Sequence, residues 1–387
     1  MASEAPLLSL ELQAPTIHRS NGSDDGEDEG GPKRWYHYTP VALIVAFALA
    51  PHPSILRILV NYHLQVLESP FSFGVHLLAL YSLTFGIFAS LIVCISRDPG
   101  AVSNSENGRD DLRDANGDLD LTEAFMAPEA DSDYPLPGTF CFKCQAARPE
   151  RAHHCSTCGR CILKMDHHCA WLATCVGHRT YPAFIHFLGC TTLFSLYVAV
   201  FSVNALVFAF KNPLAIDTVT PIHELFLSFA GIVFTLVIGA FFLYHVYLVS
   251  TNQSTLESLT PFMLLRYLPP PSPASPSSLS HGLSPQRRLL DENRMSSAQR
   301  RVIRQAHSQI FMYDLGWKRN WAQVMGWDNR HGHGLGRAGR KRLVGWVWRI
   351  VCGGEGNGDG RTFPRNPRAP EMLARLAAEL QRLDKEQ

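Results

Sequence analysis

The chain has 387 residues, a net charge of +1 and 46% apolar residues, so no overall field argues for nucleic acid. Its length would allow two or three soluble domains. The apolar residues instead gather into long runs, the pattern of a membrane protein.

In chain order, residues 1–38 read as a disordered cytosolic arm, acidic and Gly-rich from Asn21 to Gly31. They lack the basic-then-apolar start expected of a cleaved signal peptide. Residues 39–96 hold two predicted membrane helices. The first, Val41 to about Val60, contains Pro51, Pro53 and Arg57, which predicts a kink and an arginine snorkelling to an interface. The second, Phe73 to Ile95, has no charged residue, and neither do Ala183 to Phe210 and Leu225 to Ser250, the third and fourth helices of segment 183–251. Lys33, Arg34, Arg97 and Arg179 flank one side of these helices, so both termini and the loop 97–182 are expected in the cytosol. The tail, 252–387, contains a Pro/Ser-rich linker (about 268–288), a Tyr/Asn segment (about 310–326) and a short amphipathic helix from Pro370 to Asp384.

Seven of the ten cysteines lie between Cys141 and Cys175, within a module spanning about 139–182. Interleaved histidines favour metal over disulfides there, and the cytosolic placement agrees. Cys141-x2-Cys144 and Cys155-x2-Cys158 are two knuckles, with Cys161 continuing the second, and two knuckles imply two structural zinc sites. Two closed sites need eight ligands, whereas the segment also offers His153, His154, His167 and His168, so three candidates are surplus. Cys161 is expected to cross to the first site, giving two Cys3His sites. If Cys175 completes the second, Cys169 is free for nucleophilic chemistry. A neighbouring histidine can take its proton and Asp166 can fix that histidine's tautomer. Spacing leaves open which of His167 and His168 is the base, and which of His153 and His154 binds metal. The zinc-bound thiolates outnumber the charges on the ions, and Arg148, Arg151, Arg160, Lys164 and Arg179 can offset the difference or hold a phosphate-rich substrate.

Cys141, Cys144, Arg148-Pro149, His154-Cys155, Cys158, Cys161, Asp166-His167-His168-Cys169, Trp171, Cys175-Val176-Gly177 and Phe184 stand in an order and spacing that resembles the DHHC family of protein S-acyltransferases (palmitoyltransferases). Asp98-Pro99-Gly100, Ser254-Thr255-Leu256-Glu257 and Tyr313-Asp314-Leu315-Gly316 with Asn320 extend the likeness to about two-thirds of the chain. The resemblance implies an all-α integral membrane fold: four transmembrane helices with a cytosolic zinc-binding cysteine-rich module between helices 2 and 3. It assigns Cys141, Cys144, His154 and Cys161 to the first zinc, and Cys155, Cys158, His168 and Cys175 to the second. His167 becomes the base, Asp166 its orienter and Cys169 the residue acylated from a long-chain acyl-CoA, with Arg148, Arg151, Lys164, Arg179 and Trp171 as acyl-CoA contacts. It implies as partners substrate proteins with membrane-proximal cysteines, the bilayer and no nucleic acid, in an internal membrane such as the Golgi, endoplasmic reticulum or vacuole. Ala170, Ala173, Thr174, Thr180 and Ser254 depart from the family's Pro, Asn, Asn, Asn and Thr, so the hydrogen bonds of those Asn side chains must be supplied otherwise.

The competing class is a noncatalytic membrane adaptor built on the zinc module. A transporter is disfavoured because the helices lack paired intramembrane acids. His186 and His245 are expected to pack toward the bundle, and Cys94 and Cys190 to be small buried residues. Cys352 is expected either to be acylated or to touch the membrane surface. Glu257 is expected to brace the module against the helices, and Asn320 to tie the tail to them.

Overall fold

The computed structural model describes residues 35–102, 140–214, 217–269, 295–326, 347, 349, 351–354 and 356–385. Residues 1–34 of the expected arm, most of the Pro/Ser-rich linker, and Trp346 and Trp348 beside Cys352 lie outside them; the end of that arm, Trp35–Tyr38, is instead a helical turn that leads into the first span.

Among the described residues, four helices are long and apolar enough to cross a membrane: Tyr36–Val66, Pro70–Ser96, Tyr181–Lys211 and Thr220–Thr251. Each runs a few residues beyond its apolar run, because helix propagation costs less than leaving backbone groups unpaired at the bilayer edge. The first span is composite. It is helical through Thr39–Leu49 and Pro51–Ile58, then widens into π-type turns over Leu59–Val66. Proline at the start of its second segment is tolerated, because the first turn needs no amide donor there. Arg57, expected to snorkel, bonds Asp217 at 2.5 Å just before the fourth span, and Asn61 reaches Thr220 at 2.7 Å. This pins the non-module ends of the first and fourth spans together.

Among the spans, Leu80, Ile87, Phe184, Phe194, Val198 and Leu227 are buried between helices, whereas Leu78, Phe85, Phe226, Phe229 and Leu236 are each more than 60% exposed. Side chains of that size left outward on all the long helices require a lipid solvent.

Between the second and third spans stand three two-stranded antiparallel hairpins: β1 (Phe140–Cys141) with β2 (Ala146–Ala147), β3 (His153–Cys155) with β4 (Arg160–Ile162), and β5 (His167–Cys169) with β6 (Thr174–Val176). Asp98 fastens them to the second span. Its Oδ1 accepts from the Gly100 and Ala101 amides at 2.8 Å each, and its Oδ2 accepts from Arg160 at 2.7 Å. The Leu163 amide then donates to the Gly100 carbonyl at 2.7 Å.

The tail builds its own core. Leu264 and Leu265 of the turn Pro261–Tyr267, Ile303 of helix Ser297–His307, and Leu373, Leu376 and Leu380 of helix Ala369–Lys385 are buried together. The amphipathic pattern of the last helix is thus spent inside the tail. Asn320, on helix Trp317–Val324, donates to the Ser250 carbonyl at 2.7 Å and to Asp314 at 2.7 Å, tying the tail to the fourth span as expected. Cys352 is 1% exposed and belongs to the membrane-side core, which rules out the surface contact expected for it.

Candidate active site

Alternation along the hairpins decides which side chains meet. Successive residues of a strand face opposite ways, so His154 and Cys155 on β3 serve different clusters. His154 sits opposite Cys161, and His168 sits opposite Cys175. The result is two groups, Cys141, Cys144, His154 and Cys161, and Cys155, Cys158, His168 and Cys175, each with its ligand atoms within 4.8 Å of one another.

The His154 Nδ1 lies 3.5, 3.2 and 3.9 Å from the sulfurs of Cys141, Cys144 and Cys161. The His168 Nδ1 lies 3.6, 3.4 and 3.6 Å from those of Cys155, Cys158 and Cys175. Bonds of about 2.3 Å to sulfur and about 2.0 Å to nitrogen at tetrahedral angles set N···S edges near ~3.5 Å, so both clusters fit zinc.

Cys169 is the one cysteine of the module in neither cluster. It shares a face of β5 with His167, two residues away, so the thiol and the imidazole lie on the same side of the strand. His167 Nδ1 bonds Asp166 Oδ2 at 2.7 Å, which leaves the other ring nitrogen for the thiol. Asp166 is 2% exposed and fully engaged. Its Oδ1 accepts from the Thr255 amide and its Oδ2 from the Thr255 hydroxyl, both at 2.8 Å. Burial disfavours the charged imidazole, but the bond to Asp166 and the nearby Cys169 sulfur outweigh it and lift the His167 pKa to about 9. Phe184 meets the His167 ring edge-on at 5.5 Å, and His245, hydrogen-bonded to Tyr181 at 3.2 Å, lies 6.1 Å from it.

Behind the site, Glu257 closes a capping box with Ser254, so serine fills the role expected of threonine there. Its two carboxylate oxygens take 2.7 Å bonds from Arg151. Arg151 also donates to the side-chain and main-chain oxygens of Asn252 at 3.2 and 2.9 Å, and it lies 4.2 Å from the Tyr313 ring centroid. Lys164 is buried too, with Nζ 3.5 Å from Asn252 Oδ1. Of the expected acyl-CoA contacts, Arg151 and Lys164 therefore point inward, Arg148 is half-buried, and Arg179 and Trp171 are exposed.

Two functional residues escaped the sequence reading. In the sequence Thr255 stands out only as part of the Ser254-Thr255-Leu256-Glu257 motif. Asn252 caps the fourth span in a left-handed conformation (φ +50°) and joins module, span and tail, also donating to the Tyr313 carbonyl at 2.9 Å and to Gln323 at 2.8 Å. An asparagine directly after a long apolar run is itself a helix-stop signal, and could have marked it. Thr180, in place of asparagine, accepts from the Gly177 amide at 3.1 Å. Ala173 holds φ +52°, where asparagine is better tolerated than alanine.

Two Cys3His clusters and a thiol on the strand face of an Asp-oriented histidine, set at the end of four apolar helices, can be compared with known proteins. Residues 136–261 match the family model described as DHHC palmitoyltransferase, a narrower stretch than the motifs span. Palmitoyltransferase ZDHHC2 of Homo sapiens is 43% identical over 119 residues, 31% of this chain and 32% of the relative. Palmitoyltransferase pfa3 of Emericella nidulans is 40% identical over 177 residues, 44% of this chain and 33% of that protein. Probable protein S-acyltransferase 1 of Arabidopsis thaliana is 33% identical over 206 residues, covering 49% and 59%. The chain thus spans about a third of the first two relatives' length. The likeness to the DHHC palmitoyltransferase family is carried by residues 136–261.

Proposed function

We propose that this protein is a protein S-acyltransferase that moves a long-chain acyl group, palmitoyl above all, from acyl-CoA to protein cysteines through a thioester on Cys169. One observation carries the reading: the thiol left out of both metal clusters shares a strand face with a histidine that a buried, fully hydrogen-bonded aspartate orients.

Zinc, held by the two Cys3His sets, supplies folding energy and fixes the hairpins. The chain's own residues do the chemistry. Asp166 keeps the proton of His167 on Nδ1, and the other ring nitrogen takes the proton of Cys169. The Cys169 sulfur attacks the acyl carbonyl, the bond from carbonyl to CoA sulfur breaks, and His167 returns the proton to the leaving thiolate. A substrate cysteine then gives its proton to His167 and attacks the new thioester. The bond to Cys169 breaks and its thiol is restored. The apolar spans offer the chain burial worth about 0.8 kcal/mol per CH2. Arg148, Arg179 and Trp171 stay at the surface and are our candidates for the CoA end; Arg151 and Lys164, which the sequence also suggested, are assigned an internal bracing role instead. We place the termini and the module in the cytosol and the protein in an internal membrane such as the Golgi, endoplasmic reticulum or vacuole.

The test uses labelled palmitoyl-CoA. Wild-type protein should acquire a label that neutral hydroxylamine removes, and Cys169→Ser should keep its metal, lose the label and transfer nothing. A wild-type protein that never takes up label would favour the membrane-adaptor reading.

A further inference from the structure

The tail returns to the module on glycine-rich stretches, residues 353–354 and 356–360, that act as a strap. Arg97 donates to the Gly354 carbonyl at 2.9 Å, the Asn357 amide to the Gln323 carbonyl at 2.9 Å, and the His178 ring meets the Gly358 carbonyl at 3.2 Å. Glycine is obligatory where the strap lies closest. A Cβ on Gly360 (φ +74°) would stand 2.6 Å from the His178 ring, and one on Gly353 (φ +80°) 2.4 Å from the Pro182 carbonyl oxygen. Asp359 then turns the chain, accepting from the Arg361 and Thr362 amides at 2.9 and 3.2 Å.

The turn delivers Phe363, 7% exposed, onto the two buried cations. Its ring centroid is 5.0 Å from the Arg151 guanidinium carbon and 5.6 Å from Lys164 Nζ, and the ring packs edge-on against His178 and Tyr313. The void left between Lys164, His178, Tyr181, Gln323 and Phe363 is about 10 Å³, at the lower limit for one water.

We propose that Phe363 is a positioning residue for acyl transfer: carried by the glycine strap, it seals Arg151 and Lys164 from water and so keeps the groups behind Asp166 in place. The proposal rests on the acyltransferase reading. The route is short and each link is a contact. Phe363 covers Arg151, Arg151 holds both oxygens of Glu257, and Glu257 closes the turn that sets Thr255 on Asp166. Water admitted beside Arg151 would screen its pairing with Glu257 and free Thr255 to shift. Lys164 records the dryness of the site. Burial first, then the like charge of Arg151, pushes its pKa down to about 7, while Glu257 and Asp166 offset part of this. His178 and Tyr181 are the other titratable groups lining its void.

Two measurements on the full chain in lipid vesicles test this. With labelled palmitoyl-CoA, Phe363→Ala should slow acylation of Cys169 about tenfold or more, at an unchanged half-saturating donor concentration and unchanged zinc content. Phe363→Leu, which keeps an apolar cover, should recover most of the rate. With an amine-reactive ester read by mass spectrometry, Lys164 should be protected in wild type and labelled in Phe363→Ala. A Phe363→Ala protein that acylates at the wild-type rate, or that keeps Lys164 equally protected, would overturn the proposal. Should that variant fail to accumulate, Gly360→Ala, which lifts the strap from His178 and keeps the ring, is read by the same two measurements with the same expected direction. If wild type takes up no label, the acyltransferase reading fails, and the ester still reports whether the strap covers Lys164.

Discussion

His167 and His168 are neighbours of the same type with different surroundings, and the cause is the pleat of β5. His168 points at three thiols and His167 at Asp166 and Cys169. Removing one should therefore damage chemistry and removing the other should damage folding. His167→Ala is expected to retain both metal ions and slow acyl transfer about 10²-fold. His168→Ala is expected to lose metal from the second cluster and lower the yield of folded protein. Metal content measured beside acylation rate decides it, and equal metal loss in both variants would refute the division. Spacing could not make this assignment, because adjacent residues have identical spacing to every cysteine knuckle within one position. Only the strand, with its two-residue period, separates them.

At the scale of elements, the short helix Thr255–Leu259 couples the fourth span to the module, and the two residues of its capping box differ in what their loss exposes. Ser254 accepts from the Glu257 amide in an ordinary cap, so Ser254→Ala should cost about 1 kcal/mol. Glu257 neutralises Arg151, whose side chain is 0% exposed. Glu257→Gln leaves that guanidinium without its counter-charge and should cost about 3–5 kcal/mol, the penalty of an unpaired buried ion. Thermal unfolding of the two variants would rank them, and a Glu257→Gln protein as stable as Ser254→Ala would show that Arg151 finds water instead. The sequence carried the cap, as Ser-x-x-Glu, and the expectation that Glu257 braces the module. It carried no trace of Arg151 as the partner, since that contact joins residues more than a hundred positions apart. Arg151 looked like one of several cations around a metal module, and its burial depends on Tyr313 and Phe363 folding back from the tail.

For the whole molecule, the four spans were legible because a run of about 20 apolar residues has few other uses. The tail was less so, because its core is assembled from separated pieces, Leu264, Ile303 and Leu373 among them, that show no common period. The module and the tail pack on the end of the bundle formed by Ser96, Tyr181 and Thr251, whereas the Arg57–Asp217 pair marks the opposite end. Arg97 and Arg179 lie on the module side, beyond the ends of the second and third spans. Basic residues are retained on the cytosolic side during insertion, and thiolate clusters persist where the compartment is reducing. Both arguments support the proposed placement of the module in the cytosol. An Asn-x-Ser/Thr acceptor placed in an extended loop between Asn212 and Thr220 should therefore be glycosylated in microsomes, and one placed in the exposed turn at Ser156 should not. The reverse pattern would invert the topology and remove the module from cytosolic acyl-CoA. Modification at neither site would leave the orientation to protease protection, in which the tail helix Ala369–Lys385 should be digested from sealed microsomes without detergent.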